Sequence, residues 1–189
     1  VRRPPERFRG SGCGTAGAIT FPAEQVGMME REITYSRNVF IPLTFVCRNR
    51  CGYCTFRREA GPSCLLSPKE VTGIIQRGSA AGCTEALFTF GEKPEGEDGF
   101  MPYLRGAGYE SILGYCHEMS RVAIDAGILP HTNAGILTPE EMADLKEVNA
   151  SMGLMLETCA DIPAHAGSPG KKPEVRIEMI EEAGKLRIP

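Results

Sequence analysis

The chain has 189 residues, with 21 Lys and Arg against 24 Asp and Glu for a net charge of −3, and is 42% hydrophobic and 24% charged. That balance describes one globular domain with a sizeable core; it excludes wholesale disorder and offers no positive excess for nucleic acid. No apolar run approaches the ~18 residues of a membrane span, and the charged start, Val1 to Gly10, lacks the apolar core of an export signal. The expectation is a cytoplasmic protein without nucleic-acid or membrane partners, its eight cysteines reduced and available for metal or catalysis.

Residues 1–32 read as a largely irregular N-terminal extension, in which Arg2, Arg3, Pro4, Pro5, Arg7 and Arg9 precede Gly10, Gly12, Gly14 and Gly17. Residues 33–189 read as the core domain. Val39 to Cys47 is an apolar run suited to a buried strand. Ser67-Pro68-Lys69-Glu70 opens a helix with an N-cap Ser, Pro at the first position and Glu closing a capping box. Glu85 to Phe90 reads as a second strand. Tyr109 to Ala126 reads as a long helix with Ile112, Cys116, Met119, Ala123 and Ala126 along one face. Leu129 to Asn133 is a third strand, Thr138-Pro139-Glu140-Glu141 a second capping box, and Met152 to Leu156 a fourth strand. Pro173 to Ala183 is a further helix, ended by Gly184.

Four strand-then-helix units in series predict an α/β fold with a parallel sheet, curling into an incomplete (β/α) TIM-type barrel. A doubly wound open sheet is the alternative. Lys185-Leu186-Arg187-Ile188-Pro189 reads as the start of a fifth strand. The expectation is therefore a piece of a longer barrel, truncated before strand five and open at strand four.

Cys47, Cys51 and Cys54 form C-x3-C-x2-C directly after the first strand, where parallel α/β folds place their sites. Three soft thiolates on one loop suit an iron–sulfur cluster. Zinc would want a fourth ligand, yet the next cysteine is Cys64 and no His precedes His117. Three ligands on a four-iron cluster leave one iron open to a small molecule. A ferredoxin-type electron-transfer module would need four cysteine ligands.

This motif, with Tyr53 just before the last cysteine, resembles the radical S-adenosylmethionine (radical SAM) superfamily. The resemblance implies a 4Fe–4S cluster on Cys47, Cys51 and Cys54, with SAM on the open iron as the source of a 5′-deoxyadenosyl radical. It also implies SAM contacts. The turn at Gly91 and Glu92 resembles the one that receives the SAM amino group. Glu157 would accept the ribose hydroxyls, Arg176 would pair with the SAM carboxylate, and Tyr53 would support the adenine; Asn133 is a weaker candidate.

Longer stretches are similar to one family. TYSRNVFIPLT, CRNRCGYCTFRR, FTFGEKPE, LPHTNAG and NASMGLMLET resemble the 7,8-didemethyl-8-hydroxy-5-deazariboflavin synthases, from about residue 33 to 189. The resemblance implies radical-initiated ring closure, with loss of ammonia, of an adduct made from tyrosine and a ribitylaminouracil. The implied partners are that small-molecule substrate, a sister radical SAM subunit or fused second half, and a one-electron donor such as ferredoxin or flavodoxin. The sister subunit itself, or a menaquinone-pathway relative, is the alternative; GYCTF favours the ring-closing subunit. Arg48, Arg50, Arg57 and Arg58 flank the cysteine loop and would offset thiolate charge or dock the donor. His131, at a strand end, is a candidate substrate contact. His165, in a Pro/Gly loop, is expected to be solvated, and Cys83 and Cys116 to be small core residues.

Overall fold

The computed structural model describes residues 35–189, so the expected extension at 1–32 lies outside the described residues. Strands β1 (Asn38–Ile41), β2 (Glu85–Thr89), β3 (Leu129–Asn133) and β4 (Ser151–Met152) form one sheet in that order, every neighbouring pair parallel. Helix α1 (Pro68–Ala80) links β1 to β2, and α2 (Met101–Gly106) and α3 (Ile112–Asp125) link β2 to β3. Helix α4 (Pro139–Lys146) links β3 to β4, and α5 (Pro173–Lys185) follows β4.

The strand order decides between the two architectures. A doubly wound sheet reverses direction at a switch point, whereas this one advances a single neighbour at a time. The helices stack in step with it: α1 packs on β1 and α3, α3 on β3 and α4, and α4 on α5. Such an arrangement is an arc of a (β/α) barrel. Alternation along the strands explains the layering. Ala86, Phe88, Pro130 and Thr132 are buried under the helices, while Phe40, Leu87, His131 and Ser151 align in register on the opposite face. No helix among the described residues is long and apolar enough to cross a membrane.

Local chemistry sets the helix starts. Ser67 accepts the Glu70 N–H while the Glu70 carboxylate takes the Ser67 N–H at 2.8 Å, and Thr138 and Glu141 repeat the arrangement. Between sheet and helices Ile41, Phe88, Phe100, Tyr115, Ile128 and Leu145 are almost wholly buried, each contributing ~1.5–3 kcal/mol.

Several expected boundaries move, the second strand ending at Thr89 rather than Phe90. The first strand leaves the ladder at Pro42, which has no N–H to give, and only isolated bridges at Thr44 and Val46 follow. Leu43 and Val46 remain buried, which is why the run stays apolar. The long helix begins at Ile112 because Ser111 caps it through the Gly114 N–H. The fourth strand is only Ser151–Met152, extended by a Gly153 N–H to Thr132 carbonyl bond of 2.9 Å. Gly184 does not end α5, which runs through it to Lys185, with Leu186 as C-cap. At the chain end the Pro189 carbonyl accepts the Met152 N–H at 3.1 Å, along the free side of β4.

Candidate functional site

Past β1 the backbone turns through Pro42–Val46 into the cysteine loop. Thr44 fixes the turn: its hydroxyl donates to the Cys64 carbonyl at 2.7 Å and accepts the Val46 N–H at 3.1 Å. Cys47, Cys51 and Cys54 then open into one cavity of about 400 Å³ at the C-terminal ends of the strands. Tyr53, Gly91, Glu92, Asn133, Glu157 and Arg176 line the same cavity, so all nine residues expected at the site converge. A larger hollow of about 760 Å³ beside α3 and α4 contains no cysteine.

The segments carrying Cys47 and Gly91 are zipped together. Gly91 N–H donates to the Thr44 carbonyl at 3.0 Å, Arg48 N–H to the Glu92 carbonyl at 3.0 Å, and Glu92 N–H to Cys47 Sγ at 3.2 Å. The approach is so close that a Cβ on Gly91 would fall on the Val46 carbonyl oxygen and 2.8 Å from Cys47 Cβ. Burial pushes the Cys47 thiol above its ordinary value, against the N–H groups of Asn49 and Glu92 that favour the thiolate.

The Glu92 side chain is buried at 3% exposure, and its carboxylate accepts from Arg48 Nε at 2.8 Å, the Ile136 N–H at 3.1 Å and Arg176 Nη2 at 3.5 Å. Arg176 is equally buried. Its Nε donates to the Gly170 carbonyl at 2.7 Å and its Nη1 to the Met155 carbonyl at 2.5 Å. This differs from the expected pairing with a ligand carboxylate. All three guanidinium nitrogens meet protein acceptors, and Arg176 braces the cavity wall by tying α5 to Glu92.

Two residues beyond Met155, Glu157 sits in the left-handed region at φ 65°. Its carboxylate accepts from the Tyr53 hydroxyl, meets His165 Nε2 at 3.2 Å and pairs with Lys171 Nζ at 2.8 Å. Burial works against the charged form, but Lys171, Tyr53 and Arg176 together hold the Glu157 carboxyl below the usual range. Burial and the Glu157 carboxylate push the Tyr53 phenol well up. His165 is a correction: it is 8% exposed, not solvated, with Tyr53 and Glu157 both meeting its Nε2. The sequence pattern held no sign of this beyond Pro163, Gly167, Pro169 and Gly170, which mark ordered turns around it. Asn49, Ser168 and Lys171 were missed for the same reason.

The basic loop is also more engaged than its composition suggests. Arg48 pairs with Glu92, while Arg50 and Arg57 lie against Glu59 and Glu97. His131 does not line the cysteine cavity; its Nδ1 lies 2.7 Å from Ser151 Oγ on the open sheet face. Cys116 is core as expected, its thiol pushed up to about 11 by burial, and Cys83 is half-buried.

The donor set suits a cluster. Cys47, Cys51 and Cys54 are free thiols on one wall of a cavity, and hydrogen-bond donors aim at two of the sulfurs. Among the described residues no three His, Cys, Asp or Glu side chains gather tightly enough for a single metal ion. An iron–sulfur cluster, which meets its thiolates at separate irons, fits that spread.

An arc of parallel (β/α) barrel with a C-x3-C-x2-C loop at its C-terminal end defines the class: the profile of the radical SAM superfamily matches residues 41–189, and the chain belongs to it. That superfamily works with a 4Fe–4S cluster and SAM. The chain is 62% identical over 162 residues to the 7,8-didemethyl-8-hydroxy-5-deazariboflavin synthase of Methanoregula boonei, covering 86% of this chain and 49% of that protein. It is 57% identical over 162 residues to the synthase of the same description from Methanosphaerula palustris, covering 86% of this chain and 50% of the other. The chain thus spans about half the length of the curated relatives it matches. Among solved structures, methylornithine synthase (PylB) superposes with a TM-score of 0.60 at 18% identity, over 78% of this chain and 41% of that one. The FeFe-hydrogenase maturase HydG from Carboxydothermus hydrogenoformans gives 0.61 at 23%, over 80% and 34%. At such identities the likeness is one of fold.

Proposed function

We propose that this chain is the cluster- and SAM-binding portion of a 7,8-didemethyl-8-hydroxy-5-deazariboflavin synthase. The observation that carries the reading is the convergence of Cys47, Cys51 and Cys54 with Gly91, Glu92, Asn133 and Glu157 on one cavity. The 62% identity to a protein of that description supports the choice within the superfamily. Cys47, Cys51 and Cys54 hold the cluster in this reading, which when bound supplies SAM with one electron. The turn at Gly91 and Asn133 face the SAM amino acid end, while Tyr53 and Glu157 face its nucleoside. Glu92 and Arg176, paired with each other, keep the wall rigid. The substrate is the adduct of tyrosine and a ribitylaminouracil, cyclised with loss of ammonia. A sister radical SAM subunit or fused second half supplies the adduct, and a small one-electron donor reduces the cluster. A cytoplasmic location, where thiols stay reduced, belongs to the same proposal.

The test uses the full-length protein, reconstituted with iron and sulfide without oxygen. SAM added to the reduced protein is expected to change its EPR signal, and with the sister activity a fluorescent deazaflavin is expected. Deoxyadenosine without any deazaflavin would keep the superfamily chemistry and overturn the substrate.

A further inference from the structure

The segment 157–171, between β4 and α5, runs back over the cysteine loop and bonds five consecutive residues of it. Gly170 N–H donates to Asn49 Oδ1 at 3.0 Å, Arg50 N–H to Ser168 Oγ at 2.9 Å, and Ser168 Oγ lies 3.5 Å from Cys51 Sγ. Gly52 N–H donates to the Ala164 carbonyl at 2.7 Å, and the Tyr53 phenol meets Glu157 and His165. Continuous pairing of this kind fixes a loop far more firmly than its own turns could.

Ser168 is the member of this set that reaches a sulfur. It is 4% exposed and held at both ends, its N–H donating to the His165 carbonyl at 3.0 Å and its carbonyl accepting the Lys171 N–H at 2.9 Å. Its hydroxyl oxygen already accepts from Arg50. The hydroxyl proton therefore needs another acceptor, and the polar atom in reach is Cys51 Sγ. A hydroxyl directed at a cysteine sulfur draws electron density from it and favours the more electron-rich, reduced state of whatever iron that sulfur binds.

We propose that Ser168 is a positioning residue for the cluster: its O–H···S bond orients Cys51 and raises the cluster's reduction potential. This rests on the reading that Cys47, Cys51 and Cys54 carry a 4Fe–4S cluster. Donation through space from a residue 117 positions away also couples the β4–α5 segment to the electron-accepting step.

The test is an EPR-monitored redox titration of the reconstituted full-length protein, with Ser168→Ala and Ser168→Thr. At the midpoint of the unsubstituted protein, Ser168→Ala is expected to raise the ratio of oxidised to reduced cluster about threefold, ~28 mV for one electron. Ser168→Thr, which keeps the hydroxyl, is expected to restore the unsubstituted midpoint. A chelator is also expected to strip iron severalfold faster from Ser168→Ala, because Arg50 loses its acceptor. If Ser168→Ala does not fold, Ser168→Gly reads the same quantity in the same direction. A loaded cluster with an unmoved midpoint in the Ala or Gly variant overturns this proposal alone. Absence of a four-iron cluster from the unsubstituted protein, or its retention in Cys51→Ala, overturns the reading of the site and this proposal with it.

Discussion

Gly91→Ala adds one methyl group at the tightest approach in the site. Gly91 has no left-handed φ to protect; the constraint is space, because its Cβ would fall on the Val46 carbonyl oxygen and 2.5 Å from the carbonyl carbon. Both obstacles are backbone, so no rotamer relieves them, and the Cβ–oxygen separation must grow from 1.8 Å to 3.4 Å, about 1.6 Å, to reach ordinary contact. That displacement takes the Gly91–Thr44 and Arg48–Glu92 backbone bonds, both 3.0 Å, out of hydrogen-bonding range. Leaving their buried groups unpaired costs ~1–3 kcal/mol each, so about 2–6 kcal/mol is expected. A domain of this size has only ~5–15 kcal/mol in total. The Glu92 N–H would also leave Cys47 Sγ. The assay is urea denaturation of the apoprotein beside iron content after reconstitution. A large drop in stability with little bound iron is expected. A variant with unchanged midpoint and full iron would refute the steric argument.

Replacing Cys47, Cys51 or Cys54 by Ala is expected to abolish iron binding and the accompanying brown colour, whereas Cys64→Ala and Cys83→Ala keep both; iron analysis decides. Glu92→Gln leaves the Arg176 guanidinium buried without its counter-charge and is expected to cost about 3 kcal/mol, read by denaturant midpoint. For Glu157 the folded pKa lies below the ordinary 4.5, so its contacts stabilise above the unfolded value and fade as pH falls through the folded one. The Tm gap between the unsubstituted protein and Glu157→Gln is therefore expected to narrow on acidification below about pH 4.5; a constant gap refutes the contribution.

Much of the fold was legible because its signals are local. Leu129 to Asn133 was read to the residue, and the Ser67 and Thr138 capping boxes appear as expected. The strand after Met152 was over-read because MGLML looks like a buried strand. In the structure Leu154 and Leu156 are half-buried and Met155 lends its carbonyl to Arg176. The short helix α2 went unseen: Phe100-Met101-Pro102 gives no N-cap side chain, and its one buried apolar residue, Leu104, makes no period. At the site, C-x3-C-x2-C was legible because one loop supplies it. Partners such as Ser168 for Cys51 and Glu92 for Arg176 were not, since pairs 117 and 84 positions apart leave no periodic trace.

The distribution of buried polar groups says what this end of the sheet is for. Thr44, Asn49, Glu92, Asn133, His165, Ser168 and Arg176 are all buried: Thr44, Glu92 and Asn133 at or just beyond a strand end, Asn49 in the cysteine loop, His165 and Ser168 in segment 157–171, and Arg176 in α5. Elsewhere among the described residues the buried polar set is Ser120 and Thr132. Burying such groups costs ~1–3 kcal/mol apiece when unpaired, so a fold selected for stability alone would place Leu or Val there. Here most are bonded to one another or to the cysteine loop, with Ser120 Oγ, remote from the cavity, the sole fully buried side-chain polar atom lacking a partner among the described residues. What the bonds hold in place is a set of sulfurs and acceptors facing a cavity. Rigidity of that kind removes from ligand binding the entropy of ordering the loop, which would otherwise weaken capture of a small charged molecule. The arrangement thus argues for a site organised before its ligands arrive, with segment 157–171 as the part that organises it.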